Sequence, residues 1–130
     1  MCIFCEIIKG NIPSKKIYED DDILAILDIS QTTYGHTLVM PKKHYETFLD
    51  MPNEEAGNLM KKVQEIAELI VAKTNAKGCN ILNNTNEVAG QTVMHAHVHI
   101  IPRYDDNDTV KFDFNENKFD LDEIQKKITQ

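Results

Sequence analysis

His95, His97 and His99 stand at strict i, i+2, i+4 spacing within His95-Ala96-His97-Val98-His99-Ile100-Ile101-Pro102-Arg103, and they are three of the chain's five histidines. Two is the period of a β-strand, in which alternate side chains point to one face. Read as a strand, the segment gathers its histidines on one surface and Ala96, Val98 and Ile100 on the other. A helix would scatter successive histidines by about 200° around its axis. Imidazole can act as nucleophile, proton carrier or metal ligand near neutral pH. A row with a step of about 7 Å can hold a phosphate-sized group between neighbours. We therefore read a catalytic row in preference to a metal-only row or a plain polar sheet face.

The rest of the chain limits what such a row can serve. Its 130 residues, 42% hydrophobic and 27% charged, suit one globular domain with a sizeable core. A formal net charge of −7 argues against a nucleic-acid polymer or an anionic membrane as the main partner. A small anion remains admissible, because it would feel the local field of Lys42, Lys43, Arg103 and backbone N–H groups. The N-terminal residues lack the basic and apolar regions of a secretory signal, and no apolar run approaches the ~20 residues that span a bilayer. A cytoplasmic location is expected. Three cysteines make a poor disulfide framework there, which leaves metal binding or incidental thiols.

Periodicity then orders the elements. Ile3, Phe4, Ile7 and Ile8 recur at helical spacing before Gly10, Ile17 to Glu19 reads as a short strand, and Asp20-Asp21-Asp22 reads as a turn. Ile23 to Ile29 is apolar on both faces, as in a strand covered on each side. Asp28 interrupts it, either as a turn residue or as an acceptor for a ligand hydroxyl. His36 to Met40 alternates into Pro41, which places a strand end or an edge there. A long helix follows, with Asn53 as N-cap, Glu54 and Glu55 in its first turn, an apolar stripe including Met60, and Gly78 as its stop. Cys79 to Asn84 is a strand, Thr85 to Met94 a loop, and the histidine strand closes the series. In that loop Gly90 permits a positive φ, so that backbone N–H groups can turn toward an anion. Residues 105–117 read as mobile, and a weak helix starts at Asp120. The order strand, strand, strand, helix, strand, strand predicts an α+β domain, an antiparallel sheet with one main α-helix and short N-terminal and C-terminal helices.

Gly90-Gln91-Thr92-Val93-Met94-His95-Ala96-His97-Val98-His99-Ile100-Ile101-Pro102-Arg103 resembles the signature of the histidine triad (HIT) superfamily. Ile23 to Ser30 and Gly35 to His44 resemble its other blocks in order and spacing. The resemblance spans about residues 2–104, which implies a HIT domain over 1–104 and a tail of 105–130 outside it. It implies a homodimer joining two five-stranded antiparallel sheets. It also implies nucleotide hydrolases or nucleotidyl transferases that cleave at an α-phosphate through a nucleotidyl-histidine intermediate. By position, His97 would be the nucleophile, His99 would hydrogen-bond the phosphate, and His36 would help position that face. Asn84, Gln91 and Thr92 would contact phosphate or leaving group, and Asp28 the ribose hydroxyls.

The expected substrate is a purine nucleotide conjugate, such as a nucleoside 5′-phosphoramidate or an aminoacyl-adenylate. Alternatives are a dinucleoside polyphosphate hydrolase and a non-catalytic nucleotide-binding regulatory module. A neutral imidazole can split one hard displacement into two easier ones without an organic cofactor. Bacterial-type members that this chain resembles carry a structural zinc at the positions of Cys2, Cys5, His44 and His95. The resemblance therefore implies zinc there, against the alternative of two unligated thiols.

Overall fold

The computed structural model describes all 130 residues. Its elements in chain order are α1 (Ile3–Ile8), β1 (Lys16–Glu19), β2 (Ile23–Leu27), β3 (Thr37–Pro41), α2 (Asn53–Thr74), β4 (Gly78–Asn83), β5 (Val98–Arg103) and α3 (Leu121–Thr129). The five strands form one sheet in the order β1-β2-β3-β5-β4, with every neighbouring pair antiparallel. The α+β expectation is met. Because β5 inserts between β3 and β4, the histidine strand lies inside the sheet rather than at its edge.

Two apolar layers hold the sheet. On one face Ile23, Ala25, Val39, Val98 and Ile100 pack against the stripe Leu59, Val63, Ile66 and Ile70 of α2. On the other, Leu24, Ile26, Leu38 and Met40 pack against Phe4 and Ile7 of α1. Alternate residues of β2 thus face opposite layers, which is why that strand reads as an unbroken apolar run. Met60 departs from expectation: it lies one position off the stripe and is exposed, not core.

Element ends also differ from the sequence reading. Pro52, not Asn53, is the N-cap of α2, and Asn75 at φ 60° ends it in the left-handed region, so Gly78 starts β4 instead of closing the helix. Pairing in β5 begins at Val98 rather than His95. The Ala96 amide donates instead to Tyr45 O at 2.7 Å, beyond the end of β3. The alternation survives this, because the segment stays extended. Residues 105–117 carry no helix or strand, yet their start is tied down: Asp108 accepts from Arg103 Nε at 3.0 Å and from the Tyr104 amide at 2.8 Å. Asp120 caps α3, and every residue from 111 to 130 is exposed. No helix is long and apolar enough to cross a membrane.

Candidate active site and metal centre

The histidines lie on the α1 side of the sheet. Phe4 of α1 meets the His97 ring edge-on, with centroids 5.0 Å apart, and the His95 ring at 5.9 Å. Register brings in the distant member. Leu38 pairs with His99, so His36, just before β3, reaches His99 across the two strands with its Nε2 2.9 Å from His99 Nδ1.

The partners of each ring fix its tautomer. A carbonyl only accepts, so His97 Nδ1, 2.7 Å from His95 O, carries the proton and leaves a lone pair on Nε2. His36 Nδ1 accepts from the Thr32 amide at 3.4 Å, so its Nε2–H donates to His99 Nδ1. His99 is then left with an N–H on Nε2. The two adjacent triad members, with ring centroids 5.1 Å apart, therefore offer opposite chemistry: a lone pair from His97 and a donor from His99. Burial pushes the pKa of His97 below its ordinary value. Burial, reinforced by His97 and His36, pushes His99 down to about 4 against the pull of Asp28. Neutral rings are thus the resting forms near pH 7.

A cavity of about 240 Å³ opens in front of His97 and His99. Ile3, Phe4, Ile26 and Ile29 give it apolar walls, with Asp28 and Thr92 as its polar members besides the histidines. Asp28 has the turn role, and its second carboxylate oxygen faces the cavity side of His36. Its Oδ1 accepts from the Ser30 amide at 2.8 Å to fix the turn, while Oδ2 lies 3.7 Å from His36 Nε2.

Other sequence-predicted residues sit elsewhere. Gln91 is buried, its Nε2 donating to Glu46 O at 2.7 Å and Val93 O at 3.0 Å and its Oε1 accepting from the Asn86 amide at 2.8 Å, so no N–H is left for a phosphate. Asn84 turns its amide toward Gly90 O at 3.4 Å and does not line the cavity. Nor do the three cations. Lys42 pairs with Glu19 at 2.8 Å, Lys43 lies over the Tyr45 ring, and Arg103 is held by Asp108 and by Asn80 Oδ1 at 2.8 Å. The donors facing the cavity are therefore neutral. Sequence reasoning missed the Phe4 contact, whose only signal is its place on the α1 stripe. It also missed the Thr32 amide, which has none, since backbone groups are the same at every residue.

The second cluster joins the N-terminus to the sheet. Sγ of Cys2 and Cys5 and Nδ1 of His44 and His95 all lie within 4.8 Å of one another. The His44 and His95 Nδ1 atoms are 3.2 Å apart, and the sulfur-to-nitrogen separations are 3.4 Å (Cys2 to His95), 3.4 Å (Cys5 to His44) and 3.6 Å (Cys5 to His95). Tetrahedral zinc with ordinary bond lengths requires about 3.3 Å between nitrogens and about 3.6 Å between sulfur and nitrogen. Nε2–H of His95 donates to Pro41 O at 2.8 Å, which turns the Nδ1 lone pair inward. The Cys5 amide donates to Cys2 Sγ at 3.3 Å, which fixes the sulfur at the start of α1. This donor set fits one zinc ion.

Comparison with known proteins places the chain. Residues 9–106 match the HIT domain family. An uncharacterised HIT-like protein of Methanocaldococcus jannaschii is 53% identical over 129 residues, covering 98% of each chain. A protein of Arabidopsis thaliana named adenylylsulfatase HINT3 is 43% identical over 102 residues, 78% of this chain and 52% of that one. The crystal structure of a HIT family member from Bacillus subtilis superposes with TM-score 0.92 at 45% identity, over 98% of this chain and 94% of that one. A zinc-bound histidine triad family protein from Mycobacterium smegmatis superposes with TM-score 0.79 at 39% identity, over 89% and 84%. By the span of its family match, and by these identities, this chain belongs to the HIT domain family.

Proposed function

We propose that this protein is a nucleotide hydrolase or nucleotidyl transferase that cleaves purine nucleotide conjugates at the α-phosphate, with nucleoside 5′-phosphoramidates and aminoacyl-adenylates as substrates. The observation that carries this reading is the pair of opposed tautomers on His97 and His99. His97 Nε2 attacks phosphorus in line, the bond to the leaving group breaks with its electron pair, and a nucleotidyl-His97 forms. Water then attacks that phosphorus, returns the lone pair to Nε2 and releases the nucleoside monophosphate. His99 Nε2–H and the Thr92 hydroxyl donate to the phosphoryl oxygens, where one well-placed donor contributes about 3 kcal/mol. Asp28 accepts from the ribose hydroxyls and the apolar walls take the base. The name of the Arabidopsis relative supports action on an adenylyl conjugate.

Cys2, Cys5, His44 and His95 hold a structural zinc in this reading, supported by the zinc-bound relative of Mycobacterium smegmatis and by the donor geometry. The metal ties α1 to the sheet, and no step of the reaction passes through it. Residues 1–104 form the working domain with 105–130 as an appendage, and the chain acts as a cytoplasmic homodimer.

A panel of adenosine phosphoramidate, lysyl-linked AMP and diadenosine polyphosphates tests the assignment. Fastest turnover of the phosphoramidate or lysyl conjugate is expected. A preference for diadenosine polyphosphates would make the protein a dinucleotide hydrolase. Tight AMP binding with no turnover of any conjugate would make it a nucleotide-binding regulator.

A further inference from the structure

Gln91 is 3% exposed, and its side-chain amide grips three separate stretches of backbone. One N–H reaches Glu46 O, 45 residues away, the other reaches Val93 O, and the carbonyl takes the Asn86 amide. Asn86 opens the loop that leads to the triad, Val93 lies near its end, and Glu46 belongs to the segment after β3 that carries His44. Val93 O also accepts from the His95 amide at 2.9 Å, and Ala96 N–H donates to Tyr45 O at 2.7 Å. The contacts of one amide thus connect with the backbones of both histidines of the metal cluster. Thr92, the next residue, is exposed at the rim of the His97 and His99 cavity.

We propose that Gln91 is a positioning residue: its buried amide braces the Thr92 loop and the His44 and His95 segments as one unit, governing turnover and metal retention without touching substrate. This rests on the reading above that His97 and Thr92 handle the phosphate. A primary amide suits the task because it supplies two donors and an acceptor in one plane. A carboxylate at the same place would face two carbonyl oxygens with no proton to offer. An apolar chain of equal length would leave Glu46 O and the Asn86 amide without a partner and Val93 O with the His95 amide alone. Either change lets the loop drift relative to the triad, and a displacement of about 1 Å at a reacting centre costs up to ~100-fold in rate. Groups that orient metal ligands from outside the coordination shell act on a similar scale, about 10- to 100-fold.

The test compares wild type, Gln91→Glu and Gln91→Met in the full-length, zinc-loaded protein. We expect kcat on adenosine phosphoramidate to fall about tenfold or more, with KM changing less than about threefold. Zinc transfer to a colorimetric chelator should be about tenfold faster in both variants. Wild-type kcat, or wild-type zinc release, in a folded variant overturns the brace. A rise in KM with kcat unchanged also overturns it, since that pattern belongs to a residue binding substrate. If wild type turns over none of the conjugates, the proposed reaction fails, while the zinc-release comparison still decides the brace. Should neither variant fold, hydrogen exchange of the Asn86 amide in wild type decides it: protection is expected, and exchange at the rate of an open loop overturns it.

Discussion

His97 Nδ1 lies 2.7 Å from the carbonyl oxygen of His95, so the backbone of a metal-cluster histidine sets the proton position of its neighbour in the triad. The same residue presents its ring Nδ1 to Cys2, Cys5 and His44. The candidate metal ligands and the candidate nucleophile therefore share one stretch of backbone.

The first consequence concerns that nucleophile. His97→Ala is expected to lower turnover by about 1,000-fold or more while AMP still binds, because the proposed phosphate donors His99 and Thr92 remain. His99→Ala should cost less, since in the proposed reaction His99 stabilises charge without forming the bond. Rapid quench without acid, followed by mass spectrometry, should find the nucleoside monophosphate on the peptide carrying His97. An adduct on His36 or His99 would show that the roles are assigned to the wrong rings.

Purified protein should contain about one zinc per chain, as a four-ligand site requires. Cys5→Ala should lose it and melt several degrees lower, because the metal joins α1 to the end of β3 and the start of the triad. Metal analysis and thermal melts with and without chelator measure both. A metal-free protein whose melt ignores chelator would remove the site.

Acid should weaken the fold through His99. Its folded pKa of about 4 lies below the ordinary 6.5, so between these values the unfolded chain binds a proton that the folded chain refuses. This source of instability is absent above pH 6.5, grows as pH falls toward 4, and levels off below. Urea midpoints should follow that course, and His99→Gln should reduce it, leaving the part that His97 contributes through its own lowered pKa. An NMR titration giving His99 an ordinary pKa would refute the account.

Gly90 sits at φ +100° with the Asn84 amide 3.3 Å from where a Cβ would stand. Gly90→Ala should therefore cost about 1 to 2 kcal/mol from the left-handed backbone alone. It should also displace the loop that carries Thr92, so denaturant midpoint and turnover should fall together. A variant as stable and active as wild type would mean that the loop does not hold this conformation.

Sedimentation should report a dimer at micromolar concentration, as expected for an isologous pair. Residues 111–130 are exposed throughout and include Phe114, Leu121 and Ile128. A monomer independent of concentration would remove the dimer.

Local pattern alone determined which face most residues take, Met60 being the exception, because strand and helix periods are set by covalent geometry. The alternation from His95 to His99, the two-sided run of β2 and the stripe of α2 are all legible in this way, even though β5 pairs only from Val98. The helix stop was not, since Asn75 entered the left-handed region before Gly78 could. Tertiary structure decided everything that depends on partners far apart in the chain. His36 meets His99 across 63 residues because β3 and β5 pair in one register, and that meeting sets the His99 tautomer. Gln91, which resemblance assigns to the phosphate, faces inward to Glu46, and Lys42, Lys43 and Arg103 are engaged by their own neighbours. A side chain's type fixes what bonds it can make, but which of them form depends on packing and strand register, to which every residue of the chain contributes.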